Sequence, residues 1–517
     1  MVTIKDHVFL VNSLGSVETN CPEHLGLGYI ASVLRQNKFH VKVIDANFFN
    51  LEPTGVYELL RREKSLMVGF STYMTNIYTT LKTIRLLRKG KSRAHITLGG
   101  HFATFRHEEL LRKIPDVDSI VLGEGEETAL ELVKSLSEHS EWRQLPGLAD
   151  RDENGKIARS QPRKLISDLD GLPFPHRAPY AKSIKKRKWV AICSSRGCFG
   201  RCSFCSVPPF YAVGVGARWR GRSASNIVDE IEEVIKAYGV VFINFIDDEF
   251  VGPGRLGTDR AYAFGEELLK RKIKVRFRFQ CRADVVDEEL FAFLKESGLS
   301  LVSIGVESFS DRQLIRFRKD IAANQNKDSI LKLKRIRLPI EFYLIPFDPF
   351  VSLDDLQKNI NAMKELGIRP SPMIFQNLLV DDGMSILESL RKENMIRRAD
   401  LLAHGNEISQ YSYKFANDHV QEIFEVTQRV KKDLSRLIED VSVPNTKKTR
   451  KIYVEMRKKI GEKTLDLFEK TINGITECSC NGTDVGKAID QELVEFCDRI
   501  HKMLRASDDD EWATEKR

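Results

Sequence analysis

SSRGCFGRCSFC, residues 194–205, sets Cys198, Cys202 and Cys205 in a CxxxCxxC spacing directly after the apolar run WVAICSS (189–195). Thiolates bind iron–sulfur clusters, ordinarily four to a cubane. Three on one loop hold three irons and leave the fourth open to another ligand. A structural zinc site would pair two CxxC units, and no second unit with that spacing occurs. Cys478 and Cys480 stand far off in the chain, at a two-residue step awkward for zinc. The chain has nine cysteines, and four of them (Cys193, Cys198, Cys202, Cys205) fall close together. In a sequence without an export signal, such clustering argues for metal rather than disulfides.

Working outward, WVAICSS opens a series of strand-like runs separated by helical stretches: VFINFID (241–247), VRFRFQCRA (275–283), LVSIGVES (301–308), IEFYLIPF (340–347) and PMIFQNLL (372–379). Six β/α units over 189–383 predict a partial (β/α)6 barrel, because a full eight-unit barrel needs about 250 residues. Toward the N-terminus, residues 1–140 alternate HVFLVN, HVKVIDA, LMVGFST, HITLGG and SIVLGEGE with amphipathic helices. That alternation predicts an α/β, Rossmann-like doubly wound parallel sheet. Ligands of such sheets sit at the carboxyl ends of the strands. Four small-residue loops fall there: Leu14-Gly15-Ser16, Ser71-Thr72, Gly99-Gly100-His101 and Gly123-Glu124-Gly125-Glu126. Glycine lets a backbone approach a ligand closely, so the four together read as a binding rim. Between the two domains, 141–188 carries a hairpin signal at Glu153-Asn154-Gly155 and the proline-rich DLDGLPFPHRAPY, and reads as a linker. Residues 384–517 form a mainly helical C-terminal domain with a disordered tail, SDDDEWATEKR.

Composition agrees with a soluble globular protein. Length predicts about three domains, and 42% hydrophobic with 30% charged residues is a globular balance. No apolar run is long enough to span a bilayer. The start lacks the apolar core and cleavage site of a signal peptide, so the expected location is the cytoplasm. A net charge of +8 is mild, and the basic runs Lys185–Lys188 and Lys447–Lys451 lack interleaved aromatics. They read as solvated faces rather than a nucleic-acid site.

With Phe204 before its last cysteine, the motif at the exit of a first barrel strand resembles the radical S-adenosylmethionine (SAM) superfamily. The resemblance implies a [4Fe–4S] cluster on Cys198, Cys202 and Cys205, its open iron chelated by the amino and carboxylate groups of SAM. An electron from the reduced cluster would then cleave the sulfonium to a hydrogen-abstracting 5′-deoxyadenosyl radical. The protein's share is binding, orientation and shielding. Carried over residue by residue, the SAM contacts fall on Phe204, Asp248 (in FIDDEF), Gln280 and Arg282 (in FQCRAD), and Glu307 (in GVES). The fifth strand, LIPFDPF (344–350), departs from the glycine- and glutamate-bearing pattern of the superfamily.

PEHLGLGYIASVLRQN, GFSTYMTN, TLGGHFAT and VLGEGEETALELV, followed by DLDGLPFPHRAPY, resemble the cobalamin-binding subclass of that superfamily. The resemblance implies that the rim residues Leu14, Gly15, Ser71, Thr72, Gly99, Gly100, His101, Gly123, Glu124, Gly125 and Glu126 hold cobalamin. No DxHxxG motif supplies a cobalt histidine, and His101 is read as a neutral rim residue. The leading expectation is a cobalamin-dependent methyltransferase acting on an unactivated carbon of a small-molecule or peptide intermediate. Its electron donor would be a flavodoxin or ferredoxin. A rearrangement or cyclisation without methyl transfer is the alternative, with or without the corrinoid.

Overall fold

The computed structural model describes residues 7–15, 21–397, 411–440, 447–477 and 482–514. Five short apolar runs pair in parallel, in the order β2-β1-β3-β4-β5: β1 (His7–Asn12), β2 (His40–Asp45), β3 (Ser65–Ser71), β4 (His95–Gly99) and β5 (Ser119–Val121). These strands are buried on both faces because helices cover both. Phe9, Val68 and Leu98 face the helices Ile77–Lys89 and His101–Lys113, while Val8, Leu10 and Met67 face Leu25–Gln36 and Glu126–Glu138. Strand order reverses between β1 and β3, which opens a crevice beyond their carboxyl ends.

The segment expected as a linker does more than connect. β6 (Leu148–Arg151) and β7 (Ile157–Arg159) add two antiparallel strands to this sheet, turning at Gly155, whose φ of +76° suits glycine. The proline-rich stretch then lies along the helix Leu25–Gln36. Ser32 Oγ donates to Phe174 O at 2.7 Å, and the His176 amide donates to Gly28 O at 3.0 Å. A Cβ on Gly28 would stand 3.0 Å from Pro175, so glycine lets the two segments approach this closely without displacing the proline.

The second sheet is parallel and five-stranded: β8 (Trp189–Ile192), β11 (Phe242–Phe245), β12 (Arg276–Arg282), β13 (Leu299–Glu307) and β14 (Ile340–Leu344). Two-residue strands β9 (Ser195–Arg196) and β10 (Arg220–Gly221) pair above it. The expected sixth strand, 372–379, opens instead as a short 3-10 helix and joins through one parallel bridge, Phe347 to Asn377. Pro372 lacks the amide a ladder needs, which is the physical reason for the difference. Helices Asp418–Asp440, Lys447–Glu477 and Gly482–Thr514 close the barrel's core with Val420, Ile423, Phe468 and Leu493. The last helix runs to Thr514, through most of the tail expected to be disordered. Cys478 and Cys480 lie outside the described residues. Among the described residues, no helix is long and apolar enough to cross a membrane.

Candidate active site

The cluster loop leaves β8, passes Cys198, Cys202 and Cys205, and enters the short helix Val207–Tyr211. Each sulfur has a nitrogen donor beside it. The Gly200 amide donates to Cys198 Sγ at 3.3 Å, the Val207 amide to Cys205 Sγ at 3.4 Å, and an Arg282 guanidinium nitrogen to Cys202 Sγ at 3.6 Å. Burial pushes the Cys198 and Cys205 thiols up to about 12 and raises Cys202 as well, so a bound cation is needed to keep them as thiolates. The thiols lie within electrostatic reach of one another. Among the described residues no three His, Cys, Asp or Glu side chains converge on a single ion. Three thiols on one loop, each with an N–H donor beside its sulfur, fit an anionic-thiolate centre.

The strand ends surround this loop unevenly. After β11, Asp247 accepts from the Ser194 amide and from both Ser194 and Ser195 hydroxyls, and Glu249 accepts from the amides of Val251, Gly252 and Arg282. Those two carboxylates brace loops. Among the described residues Asp248, between them, receives only the Gly197 amide, at 3.2 Å, and burial pushes it up to about 6. Gln280 makes no side-chain hydrogen bond among the described residues. Arg282 is already clamped by Asp284 at 2.8 and 2.9 Å and donates to Lys319 O at 2.7 Å. Glu307 holds the buried Lys319 ammonium at 3.0 Å, from a backbone φ of +62° that is costly for a side-chain-bearing residue. Phe204 packs edge-on against Phe317, ring centroids 5.0 Å apart, and supports the loop from beneath.

Between the first sheet's carboxyl edge and the cluster loop lies a cleft holding about 1100 Å³, its open mouth included. Ser71, Gly99, Gly100, His101, Gly123, Glu124, Gly125 and Glu126 line it, opposite Cys193, Arg196, Phe210, Tyr211 and Ile246 of the second sheet's end. Its inner end is an apolar slot walled by Leu10, Leu27, Ile30, Met67 and Ala129, with side-chain-free Gly69 in the wall. The His101 ring stacks on Phe210, centroids 3.9 Å apart and planes within 4°, so the cofactor-side rim touches the helix that follows Cys205. Burial lowers His101 to about 4 and leaves it neutral.

Three expected rim residues do not line the cleft. Leu14 is buried with its carbonyl bound by Thr79, and the Gly15 amide donates to Asn47. Thr72 Oγ1 donates to Gly99 O at 2.7 Å and accepts from the Ala103 amide, tying β3 to the start of the helix His101–Lys113.

The ion-pair partners of the rim, and a buried charge network behind it, escaped the sequence. Glu124 pairs with Arg196 (3.0 Å) and Arg220 (2.9 Å), and Glu126 with Arg196 (2.5 Å), because β9 and β10 set the two arginines side by side. Burial raises the Glu124 pKa, but Arg196 and Arg220 more than offset it and hold the carboxyl below its ordinary value. Deeper in the joint, buried Glu23 and Glu230 share Arg177 (3.4 and 2.7 Å), and Arg187 turns in to Glu23 rather than joining a solvated run. His24 then sits in the cleft wall, its Nε2 2.9 Å from Ser71 Oγ, with Nδ1 accepting from the Leu27 amide. The one visible signal was an acidic or basic residue inside an apolar strand-end loop.

The B12 binding domain family matches residues 14–133, and the radical SAM superfamily matches residues 192–375. The chain thus carries a B12 binding domain followed by a radical SAM domain. An uncharacterized methyltransferase of Pyrococcus horikoshii is 29% identical over 348 residues, 66% of this chain and 73% of the relative. The anaerobic magnesium-protoporphyrin IX monomethyl ester cyclase of Rubrivivax gelatinosus is 30% identical over 318 residues, 60% of this chain and 56% of that one. In structure, the cobalamin-dependent S-adenosylmethionine radical enzyme OxsB, solved with aqua-cobalamin bound, superposes with a TM-score of 0.81 at 21% identity. The match covers 98% of this chain and 81% of OxsB. The radical S-adenosylmethionine methyltransferase TsrM from Kitasatospora setae, solved with cobalamin and a [4Fe-4S] cluster, gives 0.62 at 17% identity over 79% and 84%. At these identities the structural likeness is one of fold, and it extends through the helical C-terminal region.

Proposed function

We propose that this radical SAM enzyme methylates an unactivated carbon of a small-molecule or peptide intermediate, with cobalamin in the cleft and SAM beside a [4Fe–4S] cluster on Cys198, Cys202 and Cys205. The observation that carries this is the cleft, whose one wall is the B12 domain's strand ends and whose other wall is the cluster loop and its following helix. When bound, the cluster with SAM supplies a hydrogen-abstracting carbon radical and the corrinoid supplies a methyl group.

The chain's own residues do the rest. Amide and guanidinium donors beside the three sulfurs stabilise their negative charge. Asp248 and Gln280, which have polar atoms to spare, take SAM's polar groups, while Arg282 and Glu307 act from their clamps on Asp284 and Lys319. The apolar slot beside Gly69 suits a flat aromatic base, and the glycines at 99, 100, 123 and 125 let the backbone meet a broad ring. Closure of the cleft by the Glu124 and Glu126 ion pairs excludes water from the reacting carbon. Cys193, Cys198, Cys202, Cys205, Cys281 and Cys497 are free thiols, which fits a reducing compartment such as the cytoplasm.

The test is reconstitution with iron, sulfide and hydroxocobalamin, followed by turnover with methyl-labelled SAM on candidate substrates under a low-potential reductant. Label in the product together with 5′-deoxyadenosine supports the proposal. The similarity to a cyclase favours a second reading, ring closure without methyl transfer. Product formed with 5′-deoxyadenosine but without label supports that one and overturns the first.

A further inference from the structure

Resting on the cluster assignment above, reductive cleavage needs one electron per event from outside the protein, so some face of the cluster loop must admit a donor. Three faces are taken. The inner face meets Asp248, Arg282 and the Glu307–Lys319 pair. The following helix stacks on His101 of the B12 domain. The underside is held by Phe204 on Phe317 and by the Ile386 amide, which donates to Ser203 O at 3.0 Å.

The fourth face is open. Phe199 is 37% exposed and the Arg201 side chain 73%, both between Cys198 and Cys202. The loop is stitched there to the end of the helix Asp311–Arg316. The Ser203 amide donates to Phe317 O, and Ser203 Oγ to Arg316 O, each at 2.8 Å. On that helix end Ile315 is 76% exposed, and Arg318, also exposed, makes no ion pair among the described residues. Arg318 and Asp320 both hold positive φ, 49° and 57°, which turns Lys319 inward toward Glu307 while its neighbours face solvent. Arg201 meets Asp320 at 2.8 Å, but an exposed pair of this kind contributes little and exchanges readily for a partner's carboxylate.

We propose that Phe199, Arg201, Ile315 and Arg318 form the docking surface for an acidic, low-potential one-electron carrier protein. Two exposed apolar side chains give a small contact core, and the arginines steer a negatively charged partner to it. This is the anatomy of a weak electron-transfer encounter rather than of a permanent interface. In each transfer the reduced carrier loses one electron and the cluster gains it, with no atom exchanged.

Flavodoxin is the probe. Its affinity for cluster-loaded protein is measured by isothermal titration calorimetry against the double variant Ile315→Glu/Arg318→Glu, which leaves the motif untouched. Alongside, SAM cleavage is measured with flavodoxin hydroquinone and with dithionite. The expected result is an affinity for flavodoxin weakened about tenfold or more, a matching loss of flavodoxin-driven cleavage, and dithionite-driven cleavage within about twofold of wild type. Unchanged flavodoxin affinity, or no measurable wild-type affinity, overturns the proposal. So does an equal loss with both reductants, since the surface would then serve the fold and not the donor. Failure of the wild type to cleave SAM with dithionite would instead count against the cluster reading, and the binding measurement would still decide the docking surface.

Discussion

Removing the Glu124 carboxylate should loosen the B12 domain from the radical SAM domain. Glu124 and Arg220 are 7% and 5% exposed at the side chain, so solvent screens their 2.9 Å contact little. In Glu124→Ala, Arg196 keeps Glu126, but Arg220 loses its carboxylate while its Nε and one terminal nitrogen already lack partners. The Ile166 amide also loses its acceptor. Stranding one member of a buried pair costs about 3–5 kcal/mol. At about 1.4 kcal/mol per tenfold, the middle of that range makes opening of the contact about a thousandfold more frequent. Native-state hydrogen exchange by mass spectrometry reads this at residues 119–127, 163–168 and 218–222. Glu124→Leu/Arg220→Leu removes both charges and should recover most of the protection, because apolar replacement of a buried pair is close to neutral. Exchange changed by less than about threefold in Glu124→Ala, or a double variant as loose as the single, would refute the reasoning. The pH dependence has a definite sign. The folded Glu124 pKa lies below its unfolded value of about 4.3, so its contribution is complete above that pH and disappears as the solution is acidified through the folded pKa. Glu124→Gln should lack that acid limb.

Serine at Cys198, Cys202 or Cys205 should abolish iron retention after reconstitution and desalting, measured as protein-bound iron, while cobalamin binding survives because the B12 cleft is built largely elsewhere. Ala129→Phe fills the apolar slot and should weaken hydroxocobalamin binding by about tenfold or more in equilibrium dialysis, with cluster loading unchanged. For His101, the folded pKa of about 4 lies below the unfolded value near 6.5, so the unfolded chain binds the extra proton and stability falls from about pH 6.5 down to about 4. Chemical denaturation at pH 7 and pH 4.5 should show a drop about 2–3 kcal/mol smaller in His101→Phe, which keeps the stack on Phe210, than in wild type, because burial also lowers the pKa of His95, His24 and His176 and their share persists in both proteins. An identical drop in both proteins would exclude His101 as a source of it.

Local order was enough to reveal the main architecture. The CxxxCxxC spacing is a contact within one loop, and the strand–helix alternation follows from burial on two faces, so residues 194–205 and the five parallel strands in each of the two large sheets could be read in the linear chain. The same local logic found the Gly155 hairpin but not its pairing: that β6 and β7 extend the first sheet depends on an edge at β5, supplied by another part of the chain. Pro372 and the bridge at Asn377 show the converse, an apolar run whose missing amide stops it short of a sixth strand. Rim residues were legible as glycine-bearing strand ends, yet which of them face the cleft was decided by side-chain partners: Thr72 turns to Gly99 O and Gly15 to Asn47. Charge partners were the least legible feature of all. Glu124 and Arg220 lie 96 residues apart, as do other ends of the buried network at comparable distances, and no period or spacing in a chain encodes which charges will be desolvated together. The sequence determined the cluster loop, the two sheets and the glycine rim, because those follow from neighbours a few residues away. Only the tertiary structure decided how the two domains close on one cleft, because that rests on buried ion pairs whose members meet after folding.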